Sequence, residues 1–262
     1  RGARARVGAR VVATARDPSR LNALLAGHAD RSLALALDVT DPTQVADAVR
    51  SAVERFGRID VLVNNAGRGF AGAVEEASDA EVRATFELNV FGLLAMTRAV
   101  LPVMRAQRTG AIVNITSVGG LLARAGTGIY AASKFAVEGM TQSLAAEVRP
   151  LGIKVMAVEP GPFRTNFASA MDRAAARIDD YAATAHARID EVVAGGGKQV
   201  GDPRRAAEAI ANALEAAETP TRLVLGAPAL RLVRASLEQF TRDLDTWASV
   251  SVGADFPAGE GR

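Results

Sequence analysis

The segment Ile59-Asp60-Val61-Leu62-Val63-Asn64-Asn65-Ala66-Gly67 begins with branched apolar side chains and then turns abruptly small and polar. Ile59 to Val63 is too short for a stable helix and is bounded by Gly57 and Gly67, so it reads as a buried strand that delivers polar residues at its carboxyl end. Before it, Thr43 to Phe56 carries helical periodicity, with Asp41 as N-cap, Pro42 in the first turn and Gly57 as the stop. After it, Ala80 to Gln107 is helical throughout, and Pro102 is expected to kink or break the last turns.

The same alternation runs along the chain. Strands are expected at Arg10 to Ala15, Ser32 to Leu37, Ala111 to Ile115, Ile153 to Val158 and Leu223 to Leu225. Helices are expected at Leu21 to Ala26, Ile129 to Val148, Asp202-Pro203 to about Ala217, and 227–250 at the carboxyl end. This is the pattern of right-handed crossovers, of the α/β class with a doubly wound, mostly parallel sheet, and it predicts one domain over 1–262. The segment 163–200 lacks a clear period and is long for a connection, which suits a substrate lid.

Composition closes several classes. With 49% hydrophobic and 23% charged residues the chain is an ordinary globular sequence. It has no cysteine, which removes a disulfide scaffold, a thiol nucleophile and cysteine metal sites, and which is compatible with a reducing, cytoplasmic setting. Lys and Arg number 31 against 29 acids, a net charge of only +2. Arg1, Arg4, Arg6 and Arg10 cluster at the start and read as the exposed end of a helix, and nothing else resembles a nucleic-acid surface. No 18-residue run is free of charge, so no membrane span is expected. His28 and His186 are too isolated for a metal site and are expected at the surface.

In a parallel sheet, ligands bind beyond the carboxyl ends of the strands. The polar residues there are Arg16, Asp38, Asn64-Asn65-Ala66-Gly67, Thr116-Ser117 and Pro160-Gly161-Pro162. Tyr130 is one of two tyrosines and lies four residues before Lys134, one helical turn away on the same face. A phenol is a poor acid–base group at pH 7, and a nearby ammonium is expected to lower its pKa. Alone, the pair reads better as a surface Tyr–Lys contact. Ser117, thirteen residues earlier at a strand end, could hydrogen-bond a carbonyl oxygen while the tyrosine moves a proton; otherwise it caps a turn. Asn89, inside an apolar helical stretch, needs partners, either in a proton relay or in a neighbouring loop.

Together, Asn64-Asn65-Ala66-Gly67, Asn89, Ser117, Tyr130-Ala131-Ala132-Ser133-Lys134 and Pro160-Gly161-Pro162 resemble the short-chain dehydrogenase/reductase family in order and spacing, over about Val11 to Leu225. The stretch from Ser117-Val118-Gly119-Gly120 to Glu138-Gly139 is most similar to the 17β-hydroxysteroid and retinol dehydrogenase branch. The resemblance implies a Rossmann-like fold and an alcohol/carbonyl oxidoreductase. It implies Tyr130 as acid/base, Ser117 as the group that positions the substrate oxygen, Lys134 on the nicotinamide ribose, and Asn89 in a water-linked relay. It also implies that Asn65, Ala66 and Gly67 lie by the adenine-side ribose, Asp38 and Val39 by the adenine, and Pro160, Gly161 and Thr165 at the nicotinamide end. The helices near 80–107 and 129–148 resemble the family's dimer-forming pair, implying a homodimer or homotetramer.

An NAD site places a carboxylate at the end of the second strand of the fold, to bind the ribose 2′-hydroxyl. Here Thr14-Ala15-Arg16 offers a guanidinium instead, which suits a 2′-phosphate, so NADP(H) is expected over NAD(H). The family also starts with a strand and a glycine-rich turn that cradles the pyrophosphate. Gly2 and Gly8 among arginines do not supply them, so about 20 residues of a βαβ unit are expected upstream, and the 262-residue chain is expected to bind NADPH poorly without them. That gap leaves open a second class, a catalytically impaired nucleotide-binding or partner-binding module. In the lid, Phe163, Phe167, Ala168, Met171 and Tyr181, with Leu121 and Leu122, form either an apolar wall for a bulky hydrophobic alcohol or ketone or ordinary loop packing.

Overall fold

The computed structural model describes residues 9–256. Readings placed on residues 1–8, including Arg1, Arg4, Arg6, Gly2 and Gly8, lie outside them. In chain order the elements are β1 (Val11–Ala15), α1 (Asn22–Leu25), β2 (Ser32–Ala36), α2 (Pro42–Phe56), β3 (Val61–Asn64), β4 (Phe70–Ala71), α3 (Asp79–Phe86), α4 (Leu93–Gln107), β5 (Gly110–Ile115), α5 (Gly128–Val148), β6 (Ile153–Pro160), β7 (Asp172–Arg173), α6 (Ala187–Ala194), α7 (Pro203–Glu215), β8 (Arg222–Leu225) and α8 (Ala227–Val252).

Every pairing is parallel. β3, β5, β6 and β8 form a four-stranded sheet in that order, and β1 pairs with β2. Among the described residues β1 and β3 are not paired with each other, and Val61 and Val63 are 45% and 50% exposed. The two parts are joined through helices: Val45 and Ala48 of α2 meet Met96 of α4 and Leu37 beyond β2. Ile112 of β5 packs with Val100, Met104 and Val148 on one face, while Val113 packs with Ile210 and Leu214 of α7 on the other. Cover on both faces is what the apolar runs of parallel strands require. The register sets Asn64 beside Asn114, Ile115 beside Val158 and Pro160 beside Leu225, so the loops after β3, β5 and β6 gather at one edge.

Local chemistry sets the boundaries. Asp41 accepts from the Thr43 and Gln44 amides, Pro42 starts α2, and Gly57, at φ 78°, ends it. Gln107 clasps both backbone groups of Ile59 and so fixes the entry to β3. The helix expected at Leu21 to Ala26 instead begins as a tight turn over Pro18–Leu21, because Asp17 caps the Ser19 amide and Pro18 presets φ.

Two expectations about the long helix change. Pro102 neither ends nor breaks α4, because it sits on the exposed side, where water can take the carbonyl it frees. Between α3 and α4 the helix widens into a π turn, Glu87–Gly92. The continuous run Asp79–Gln107 is long and apolar enough to cross a membrane on length and composition, which a count of charge-free residues misses. Here Val100 and Met104 make it a core helix.

The segment 163–200 is more ordered than its sequence suggests. β7 pairs with β4, and a π turn at Ala182–His186 leads into α6.

Candidate active site

Asn89, Ser117, Tyr130 and Lys134 come together at the strand-end edge. Ser117 follows β5 in extended conformation, and its Oγ accepts from the Gly119 amide at 3.0 Å, capping a short turn over Val118–Gly120. Tyr130 and Ser117 flank Gly119: a Cβ there would lie 3.3 Å from Ser117 Oγ and 3.4 Å from the Tyr130 ring. One turn along α5, the Lys134 ammonium lies 6.0 Å from the Tyr130 ring centre and donates to the Ile115 carbonyl at 2.9 Å.

Asn89 owes its position to the π turn, the kind of helical irregularity often found at functional sites. Fully buried, it accepts from the Arg68 amide, and its Nδ2 donates to the Arg68 carbonyl at 2.9 Å and to Ser133 Oγ at 3.0 Å. Asn89 thus pins the loop after β3 against α5, the neighbouring-loop reading of its sequence position. A Cβ on Gly67 would lie 3.1 Å from Asn89 Oδ1 and 3.5 Å from Lys134 Nζ, so glycine lets this loop approach the lysine. Asn64 is structural: it donates to Thr97 and Asn114, and Asn114 to Thr141, in a buried network beneath the site.

The electrostatics differ from the simple Tyr–Lys picture. Burial pushes the Tyr130 phenol up, opposed by the neighbouring Ser117 hydroxyl, so in this state the lysine is not what tunes it. Burial also lowers Lys134 to about 8, against the pull of Glu138. Behind Lys134, Glu138 and Glu159 are buried beside Arg222, whose Nε is 3.4 Å and 3.9 Å from their oxygens. Burial, then the neighbouring Glu138, raises Glu159 to about 8. The sequence reading missed this pair; carboxylates inside apolar runs were the available signal.

The remaining predicted positions spread along the same edge. Arg16 is exposed just beyond β1 and acts electrostatically on Asp38. Asp38 is occupied by Thr40, whose amide and hydroxyl it accepts at 3.0 Å and 2.7 Å, and these bonds lower its pKa. Val39 packs where a side chain on Gly92 would stand. Asn65, Ala66 and Gly67 are exposed in the loop after β3. Gly161 donates to the Leu225 carbonyl, and Thr165 is exposed at the start of the lid.

The segment 163–200, expected as a lid, reaches back over Tyr130. Phe167 stands 5.6 Å from the Tyr130 ring, and Phe167 and Met171 fill the space beside Gly69. Glu76 holds the lid in place. It accepts from the Ile178 and Ala73 amides and from His186 Nε2 at 2.6 Å, and these bonds lower its carboxyl to about 2. His186 is therefore buried, not at the surface: it satisfies Glu76 110 residues away in sequence. His28 is exposed as expected.

With this geometry in place, comparison with known proteins gives the assignment. The short chain dehydrogenase family matches residues 3–176. The chain belongs to that family. The short chain dehydrogenase is 35% identical over 248 residues to Oxidoreductase BOA17 of Botryotinia fuckeliana, covering 94% of this chain and 90% of that one. It is 49% identical over 133 residues to the 3-ketodihydrosphingosine reductase of Bacteroides thetaiotaomicron, about half of each chain (51% and 49%). A solved short-chain dehydrogenase from Streptomyces avermitilis superimposes with a TM-score of 0.88 at 42% identity, over 95% of this chain and 91% of that one. Two further solved structures hold cofactors. One from Burkholderia phymatum has NAD bound (TM-score 0.77, 27% identity, 89% and 86% covered), and ElxO has NADP bound (TM-score 0.69, 26% identity, 85% and 89% covered).

The residues of this short chain dehydrogenase fit such a group. Lys134 spends one donor on Ile115, which leaves others for ribose hydroxyls. Gly67 keeps the adjoining loop free of a side chain, and Arg16 presents a guanidinium at the far end of the edge.

Proposed function

We propose that the protein is an NADP(H)-dependent oxidoreductase that interconverts a hydrophobic alcohol with its ketone or aldehyde, Tyr130 moving the proton. The observation that carries this reading is Tyr130 beside Ser117 at the Gly119 turn, with the Lys134 ammonium 6.0 Å from the Tyr130 ring centre. When bound, the nicotinamide cofactor supplies or accepts the hydride. The chain's own groups do the rest. Ser117 donates to the substrate oxygen and orients it. Tyr130, kept protonated by burial, gives its proton to that oxygen during reduction and takes it back during oxidation. Lys134 holds ribose hydroxyls, and its positive charge favours the phenolate once the proton has left. Asn89 fixes the loop that borders this path.

NADP(H) is favoured over NAD(H) because the residue after β1 is Arg16 and not an acid. A hydrophobic substrate is supported by Phe167 and Met171 beside Tyr130, and by the relative named for a 3-ketodihydrosphingosine reductase. The run Ser117-Val118-Gly119-Gly120 favours the 17β-hydroxysteroid and retinol dehydrogenase side of the family. Self-association through α4 and α5 belongs to the same reading, with Phe135 of α5 and Phe91 of the π turn before α4 exposed. A panel of ketones and aldehydes of graded size, assayed with NADPH and with NADH, tests the proposal. Turnover of apolar carbonyls with NADPH preferred supports it, and turnover confined to NADH or to small polar carbonyls refutes it.

A further inference from the structure

We propose that Arg222 and Glu138 are positioning residues, a chain of alternating charge that runs from the surface at β8 to Lys134 and keeps that lysine an ammonium. The inference deepens the reading of Lys134 as the group that holds the cofactor ribose, and rests on it. Glu138 lies one turn beyond Lys134 on the same face of α5. Both side chains are buried, and neither carboxyl oxygen of Glu138 has a hydrogen-bond partner among the described residues. A Cβ on Gly120 would lie 3.1 Å from Glu138 Cγ and 3.1 Å from the Lys134 carbonyl oxygen, so the turn after Ser117 closes this stretch of α5 against water. A buried carboxylate without hydrogen bonds is costly unless a cation faces it. Two cations act on Glu138: Lys134 from its own helix, and the half-exposed Arg222, whose Nε is 3.4 Å from Glu138 Oε2.

Glu159 decides which carboxyl carries the charge. It is fully buried on β6, its oxygens also lack hydrogen-bond partners, and Arg222 Nε is farther from it, at 3.9 Å. Two buried carboxyls beside one guanidinium do not both ionise, so one keeps its proton. Burial raises Glu138, but Arg222 and Lys134 both pull it down. Burial and the neighbouring Glu138 raise Glu159 to about 8, and the cation opposing them is Arg222. The negative charge therefore rests on Glu138 and the proton on Glu159. Burial lowers Lys134 to about 8, and Glu138 is the charge that opposes this. The other titratable groups on the elements around the lysine do not replace it. Tyr130 is a neutral phenol, and Arg68 on the loop after β3 is paired with Asp172 at 2.9 Å.

The chain has three lysines, Lys134, Lys154 and Lys198, so isotope-labelled lysine gives three NMR titrations in the full chain without turnover. Lys154 and Lys198 are exposed and report that the fold is kept. Glu138→Gln and Arg222→Gln are each expected to move the Lys134 midpoint down by about one pH unit or more, with Lys154 and Lys198 unmoved. Glu159→Gln removes the competitor for Arg222 and is expected to leave the Lys134 midpoint in place or raise it. The alkaline fall of kcat/KM for carbonyl reduction is expected to move with the midpoint in each variant. A Lys134 midpoint unmoved by Glu138→Gln or by Arg222→Gln overturns the inference. So does a fall with Glu159→Gln equal to theirs, or a kcat/KM profile that stays in place while the midpoint falls. Midpoints that move as stated in a protein that reduces no carbonyl leave the charge chain standing and remove the oxidoreductase reading.

Discussion

Lys134 donates its ammonium proton to the carbonyl of Ile115, the last residue of β5, at 2.9 Å. This bond ties α5 to the strand end that presents Ser117, so the three groups proposed to act on substrate and cofactor are held by one strand and one helix. Burial of that lysine has a pH consequence. The ammonium is disfavoured inside, so Lys134 loses its proton as pH rises through about 8 rather than at its ordinary 10.5. Carbonyl reduction, proposed to use the charged lysine, is predicted to decline as pH passes about 8 in a kcat/KM profile. A flat profile to pH 10 would contradict this.

Arg16 is proposed to select the 2′-phosphate. Arg16→Asp is predicted to raise the Kd for NADPH by about 10- to 100-fold, the loss of a charge-assisted contact, and to leave NADH binding unchanged or improved. Titration calorimetry with both cofactors checks it, and equal weakening of both would remove the assignment.

Phe167 stands 5.6 Å from the Tyr130 ring, on the side proposed to receive the substrate. Phe167→Ala is predicted to raise KM for bulky apolar ketones about tenfold while changing small ones little, since one missing apolar contact discriminates by that order. Steady-state kinetics on a size series reads it directly.

Glu76 anchors the lid as a carboxylate. Its folded pKa of about 2 lies below the ordinary 4.5, so its stabilising effect is complete above about pH 4.5 and is lost as pH falls from there through about 2. Glu76→Gln is predicted to keep the Ala73 bond and to loosen Ile178 and His186. Hydrogen exchange should then show faster exchange in residues 172–189 at neutral pH, with exchange elsewhere unchanged. Uniform protection in both proteins would contradict the anchoring role.

Much of this architecture was legible from local pattern. The strand at 59–63, the helix closed by Gly57 and the Tyr130–Lys134 spacing depend on neighbours within a turn or two. Asn89 was placed correctly, but its π turn was not, because a widened turn leaves no mark on apolar spacing. The Glu76–His186 contact spans 110 residues and has no local signature, so His186 looked like a surface residue. The direction of the Tyr130 pKa depended on burial, which a motif does not carry. The helix at 227–252 was legible as a helix, but its periodicity is the same whether its apolar face is covered or bare.

Tyr130 is proposed to carry the proton that accompanies hydride transfer. Single-turnover reduction of an apolar ketone, followed by loss of NADPH absorbance, tests it with Tyr130→Phe. The predicted result is a rate reduced by about 100-fold or more with NADPH affinity within about twofold. Wild-type rates in the phenylalanine variant, at the same NADPH affinity, would contradict it.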